Sequence, residues 1–288
     1  MRGKLHPTHG HPGRRFSEAH RKGAERMRIG RFDVSRRFIR VWHRNLIVYR
    51  KIWLVNFLTP LLEPLLYLAA FGIGLSALIG SVRVEGMELS YVVFITPSLL
   101  AITMMYNAFF ENTYTSFVRM YYQKTFDAML ATPLSLDEVI TGEIMWGATK
   151  SLIATVIMLG VVSAFGLVRY PEGLLVIPLS FLGGIAFGAI GMVFTGVIPS
   201  IDMFNLPIFL FISPMFLFSG TFFPMEGLPG WAQKLALLFP LTHLVQATRW
   251  LCLGVFRVEI LWGLAYLVAC CLVFFPLALI VMKRRLIH

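Results

Sequence analysis

Six stretches of this chain are long and apolar enough to cross a bilayer, and that many together constrain the fold more than any motif does. A bilayer core needs about 20 apolar residues per helix. Ile52–Ile79 is apolar apart from Glu63, Leu89–Phe110 is uncharged, and Ile144–Val168 holds only Lys150. Gly173–Ile198, Met203–Met225 and Ile260–Met282 carry no charge. Internal glycines and prolines such as Gly72, Pro97, Gly184 and Pro214 are ordinary in lipid-embedded helices. Only 14% of the residues are charged, against roughly a quarter in soluble domains. The expected fold is an all-α membrane protein with six transmembrane helices.

The positive charge is unevenly placed. Fifteen of the 26 Lys and Arg residues precede Ile52. With the amino terminus inside, Arg119, Lys124, Lys283, Arg284 and Arg285 join them. Arg83, Arg169, Lys234, Arg249 and Arg257 lie outside. The bias predicts that both termini are cytoplasmic. The net charge of +11 then reflects a membrane-facing amino terminus with lipids as its partner, and no nucleic acid is implied. Residues 1–28 read as a disordered basic tail. Its His6, His9 and His11 are read as exposed polar residues in preference to a metal site, and Met27 is a second candidate start. Residues 29–51 carry Val34, Phe38, Val41, Trp42 and Tyr49 on one side and Arg36, Arg37, Arg40 and Arg44 on the other. Such an amphipathic helix is expected in the membrane interface, ahead of packing on a soluble partner.

Residues 114–143 form the one sizeable inner loop. Val118, Tyr122, Phe126 and Met129 make a helical stripe that Pro133 ends. Ser135 and Glu138 then form a capping-box pattern, with Asp137 in the first turn. Helices bent in this way suit docking into a partner's groove. Outside, in segment 224–254, two short apolar pieces, about Trp231–Phe239 and Thr242–Leu253, are broken at Pro240. Each is too short to span, so short re-entrant helices are expected before the last span.

The run Phe126-Asp-Ala-Met-Leu-Ala-Thr-Pro-Leu-Ser-Leu-Asp-Glu-Val-Ile-Thr-Gly-Glu143 resembles the first cytoplasmic loop of ABC-2 type exporter permeases, their nodulation protein J branch in particular. The Pro224-x-x-x-Leu228-Pro229 run, followed by two short helices, is similar to that family's outer gate. The resemblance covers nearly all of Arg31–Arg285 and assigns residues 52–288 to a six-helix ABC-2 transmembrane domain. It implies a permease that moves an amphipathic glycolipid, lipo-oligosaccharide or polysaccharide outward across a bacterial inner membrane. A drug or other lipid is the next substrate class. It also implies a separate ABC ATPase subunit carrying ATP and Mg, and a second copy of this chain. ATPase coupling falls to Phe126, Asp127, Leu130, Thr132, Pro133, Leu134, Asp137 and Glu138. The outer gate comprises Pro224, Leu228, Pro229, Pro240, His243 and Arg249.

Three charges inside or at the edge of spans need partners, because an isolated charge in hydrocarbon costs at least a few kcal/mol. Glu63 and Lys150 enter from the same side and are expected to pair, whereas Glu111 sits where its span emerges toward water. A structural pair is favoured over a proton relay or contacts to a sugar. His243 reads as a cap or interfacial donor, and Gly184, Gly188 and Gly191 as a flat packing face. Gly142 and Gly147 precede Lys150 without the spacing of a phosphate loop. Cys252, Cys270 and Cys271 make no disulfide framework. No catalytic, cofactor or metal cluster is expected, so the chain reads as a non-enzyme. The leading alternative class is an ion-coupled secondary transporter, against which the lack of an internal repeat weighs.

Overall fold

The computed structural model describes residues 33–54, 58, 62, 65–75 and 79–286. The basic tail with its three histidines, part of the first expected span, and Glu63 lie outside the described residues.

Among the described residues five helical stretches are long and apolar enough to span a membrane. In chain order, α1 is Phe38–Lys51 and a π-helical turn follows at Leu68–Leu75. Next come a hairpin, β1 (Ser81–Val84) and β2 (Met87–Ser90), and α2, Tyr91–Tyr122. The short α3 is Thr125–Leu130. It is followed by α4 (Leu136–Ala164), α5 (Val176–Val197) and α6 (Ile201–Phe218). Two short helices, α7 (Gly230–Ala236) and α8 (Pro240–Leu253), precede α9, Val258–Leu286.

The hairpin corrects the all-α expectation. In Ser81-Val-Arg-Val-Glu-Gly-Met-Glu-Leu-Ser90 the pairing is antiparallel, with Val84 opposite Met87. Glu85 (φ 45°) and Gly86 (φ 83°) both occupy the left-handed region. A two-residue loop with two positive φ angles matches the right-handed twist of the strands it joins.

The expected loop 114–143 is also shorter than its composition suggested. Helix α2 continues past Phe110 to Tyr122, and α4 already begins at Leu136. The break comes at Lys124, whose φ of 52° is left-handed. The remaining elbow is α3 and its flanks, and α3 closes before Pro133. The capping box is as expected: the Glu138 amide donates to Ser135 Oγ at 3.2 Å. In return the Ser135 amide donates to Glu138 Oε2 at 2.8 Å.

Helix α5 is central, packing against α2, α4 and α9. Its small residues permit that approach. A Cβ added at Gly184 would lie 2.7 Å from the Ala148 Cα, and one at Gly191 would lie 2.9 Å from the Phe109 carbonyl oxygen. The flat face expected from the sequence is therefore a helix-packing face. Helix α1 packs on α4, burying Val41 and Asn45. Trp42 donates to Thr149 Oγ1 at 2.8 Å, and Trp42 and Tyr49 meet Trp146 edge-on at 6.5 and 5.5 Å. The aromatic face expected in the acyl boundary is thus turned toward the protein, while Ile39, Ile47 and Val48 face outward.

The glycine contacts give a sign contrast. Gly184→Ala should lower stability in detergent by roughly 1–3 kcal/mol through overpacking. Gly160→Ala, with nothing within 4 Å of the new Cβ, should be neutral or stabilising by about 1 kcal/mol at most. Thermal unfolding of the two variants beside the wild type checks both signs.

Candidate functional site

The chemistry-bearing residues gather at two ends of the bundle. At the end where α2 finishes and α4 begins, four charges form one buried network. Glu143 is 0% exposed, and Glu111 is nearly as enclosed. Arg119 bridges the two carboxylates, with hydrogen bonds to Glu111 and Glu143. Lys150 Nζ lies 2.9 Å from Glu111 Oε2. Ser116 Oγ donates to Glu143 at 2.9 Å, and Asn45 Nδ2 from α1 donates at 2.8 Å. Two carboxylates against one guanidinium and one ammonium leave no net charge, the condition under which ions tolerate burial. Glu111 is therefore not solvated at the mouth of its span, as expected from the sequence, but is the partner of Lys150. The proposed Glu63 contact lies outside the described residues. Arg119 and Glu143 were missed as members. Both sit at the edges of a stretch taken for a loop, although the i, i+8 spacing of Glu111 and Arg119 on a continued helix would have suggested them. Partial burial beside the positive Arg119 pushes the Arg44 guanidinium of α1 down from its usual range, with Glu143 opposing.

A second set of contacts fixes the elbow. Asp137 is buried and pairs with Lys283 of α9 at 2.7 Å, and it accepts from the Asp33 amide at 2.8 Å. Glu138 also accepts from Ser35 Oγ. Ser135 Oγ donates to the Asp33 carbonyl at 2.7 Å, and Arg37 donates to the Pro133 carbonyl at 2.8 Å. Phe126 is buried among Phe117, Met120 and Val139 in an apolar cluster, and Leu134 is half-buried against it. Asp127, Leu130, Thr132 and Pro133 face outward. Four of the eight residues expected to contact a partner are thus exposed. The side chains of Phe126, Asp137 and Glu138 are engaged within the chain, and Leu134 is half-buried.

At the opposite end, Pro240 opens α8, where its lost amide would have had no partner. Pro229 immediately precedes α7, and Pro224 precedes a tight turn ending before Leu228. The Leu228 carbonyl accepts from Gln233 at 2.9 Å. His243 stacks on Tyr266 at 4.0 Å, and its Nε2 lies 2.9 Å from the Leu237 carbonyl, a donor's position. Arg249 is buried without a carboxylate. It donates to Ser98 Oγ at 2.9 Å and to the Gly220 carbonyl at 2.7 Å, with its guanidinium 4.3 Å from the centre of the Phe94 ring. Burial pushes it down to about 10, against the opposing pull of Glu85. The hairpin reaches the same region. The Glu85 amide donates to Glu226 Oε1 at 3.0 Å, and Arg257 pairs with the Glu85 carboxylate. Among the described residues no group of His, Cys, Asp and Glu side chains could hold a metal ion.

Long apolar helices with charges neutralised inside the bundle mark a multi-pass membrane protein. Residues 36–253 match the family described as ABC-2 type transporter. The chain is 36% identical over 254 residues to nodulation protein J of Rhizobium leguminosarum bv. trifolii, covering 88% of this chain and 95% of that protein. It is 35% identical over 212 residues to nodulation protein J of Sinorhizobium fredii, covering 74% and 79%. To the inner membrane transport permease YadH of Escherichia coli it is 23% identical over 245 residues, covering 85% and 93%. The chain belongs to the ABC-2 type transporter family.

Among the described residues Arg119 is the one cation in an ion pair with Glu143, whereas Glu111 is shared between Arg119 and Lys150. Arg119→Met should therefore destabilise the protein by roughly 3–5 kcal/mol, the cost of leaving a buried carboxylate uncompensated. Lys150→Met should cost clearly less. Thermal unfolding of both variants in one detergent checks the order, and equal losses would sink the assignment of Arg119 as the bridge.

Proposed function

We propose that this chain is the permease subunit of an ATP-binding-cassette exporter in a bacterial inner membrane. Two copies face each other, each docked to a separate ATPase subunit that carries ATP and Mg. The substrate is an amphipathic glycolipid, lipo-oligosaccharide or polysaccharide moving outward. A drug or another lipid is the alternative cargo within the same machinery. Family membership supports the transport role, and the family resemblance of the elbow supports the ATPase partner. The excess of Lys and Arg at the end bearing the elbow supports a cytoplasmic placement.

The observation that carries this reading is the elbow itself. Asp127, Leu130, Thr132 and Pro133 are exposed at its tip, while Phe126, Asp137 and Glu138 beneath are held by buried contacts. A tip fixed to α2, α4 and, through Asp137, to α9 would pass a push from a partner into three spans at once. Alternation between inward and outward states would then follow from displacement of semi-rigid helices, with α7 and α8 gating the outer end. Asp127→Lys with Leu130→Glu should weaken co-purification of the ATPase roughly thirtyfold, as expected for loss of an interface anchor, without lowering the yield of folded permease. Asp137→Ala should instead reduce that yield. Full ATPase retention by the tip variant would overturn the docking assignment. Transport of candidate glycolipids into inverted membrane vesicles tests the cargo.

A further inference from the structure

We propose that a basic groove beside the carboxyl-terminal end of α9 binds the phosphate of an anionic phospholipid headgroup. The last turn of that helix carries Lys283, Arg284 and Arg285 in succession. Successive helical residues diverge by about 100° around the axis, so the three side chains meet different surroundings. Lys283 is neutralised by the buried carboxylate of Asp137. Arg285 turns the other way: its Nε donates to Tyr121 Oη at 3.0 Å, and a terminal nitrogen donates to the Thr195 carbonyl. Its guanidinium lies 4.9 Å from the Tyr121 ring centre and 5.4 Å from that of Phe117. Neither Arg284 nor Arg285 has an ion-pair partner among the described residues.

These two arginines and Tyr121 line an open groove of about 400 Å³, with Val197, Pro199 and Val281 along its other side. Among the described residues no carboxylate lines it. A guanidinium carries five donors in a fixed fork that suits phosphate oxygens. Arg285 is held in place by its ring and carbonyl contacts with donors to spare, and Arg284 is free to close on an anion. Two positive charges side by side at the end of three spans attract a phosphate in any form. The apolar wall selects the source. Val197 is 65% exposed, and Leu277, one turn before Val281 on α9, is also exposed. Together they lead from the groove along the outside of the bundle, where an acyl chain can follow its headgroup. Basic pockets between spans at a membrane surface are lipid-headgroup sites on these grounds.

Arg285 also satisfies the end of α5, so its loss mixes structural and binding effects, whereas Arg284 makes no hydrogen bond within the described residues. The test therefore rests on Arg284→Gln in the full-length chain purified in detergent. Native mass spectrometry and thermal unfolding would be measured with added phosphatidylglycerol, phosphatidylcholine or inorganic phosphate. Retention of phosphatidylglycerol, and a rise in the unfolding midpoint with it but not with phosphatidylcholine, is expected. Arg284→Gln should weaken that binding about fivefold, the value of one basic residue at a membrane surface. Arg284→Lys should recover part of it. Arg83→Gln, in the hairpin at the opposite end of the bundle, should change nothing. Equal retention of both lipids, or an unchanged Arg284→Gln variant, overturns the site. Arg284-dependent stabilisation by inorganic phosphate as large as that by phosphatidylglycerol overturns the lipid and leaves a free-phosphate site.

Discussion

Burying Glu143 is the constraint around which one end of this molecule is built. A carboxylate at 0% exposure is tolerated only if a cation and further donors replace the water it has lost. Arg119 supplies the cation, Ser116 and Asn45 the donors. Each requirement fixes a different element. Arg119 must lie on the same helix as Glu111, so α2 cannot end where its apolar run ends. Asn45 must face α4, so α1 is drawn from the surface onto the bundle. Lys150 completes the neutrality from the next turns of α4. Removing Arg119 would leave Glu143 without its cation in a place that water reaches poorly.

The elbow follows from the same logic one step farther out. Asp137 stands at the start of α4, where the helix dipole favours an acid, and its second partner is Lys283 at the end of α9. The first and last described segments of the chain thereby meet at one carboxylate, since the Asp33 amide also donates to it. What remains outside this fastening is a small tip, Asp127 to Pro133, with polar and apolar side chains presented together. Exposure there is a product of how thoroughly the residues beneath it are used.

The spans from α2 to α9 were legible because hydrocarbon leaves a compositional mark that a single sequence carries. So were the capping box at Ser135, the break at Pro240 and the glycine face of α5, since each depends on residues within a few positions. The limits of α2 and α4 were not legible in the same way. Charges at Glu111, Arg119 and Glu143 end an apolar run, and only partners 24 to 39 positions apart show that the helix continues through them. The surroundings of Asp137 and Glu138, to which the resemblance assigns a coupling role, are hidden for a related reason. Their acidity was visible, whereas Lys283 and Ser35, which occupy them, lie more than a hundred positions away. The hairpin carries a local signal of its own, alternation around Glu85-Gly86.

The two ends of the bundle are held by unlike forces. At the elbow, carboxylates and cations are paired out of water. At the far end, Arg249 rests on a hydroxyl, a carbonyl and the face of Phe94, with no ion-pair partner among the described residues. The Glu85–Arg257 pair beside it is about one-third exposed, and ion pairs of that kind contribute little, up to about 1 kcal/mol. Buried pairs resist separation because each partner alone is costly. A buried guanidinium held by neutral acceptors depends on those acceptors in turn, because losing them would leave its charge unsatisfied. Helix α2 joins the two regimes, since it carries Phe94 and Ser98 near one end and Glu111 and Arg119 near the other. Among the described elements it is the one in contact with both Arg249 and the Glu143 network. The ion-paired attachment and the one built on neutral acceptors are therefore two ends of a single helix.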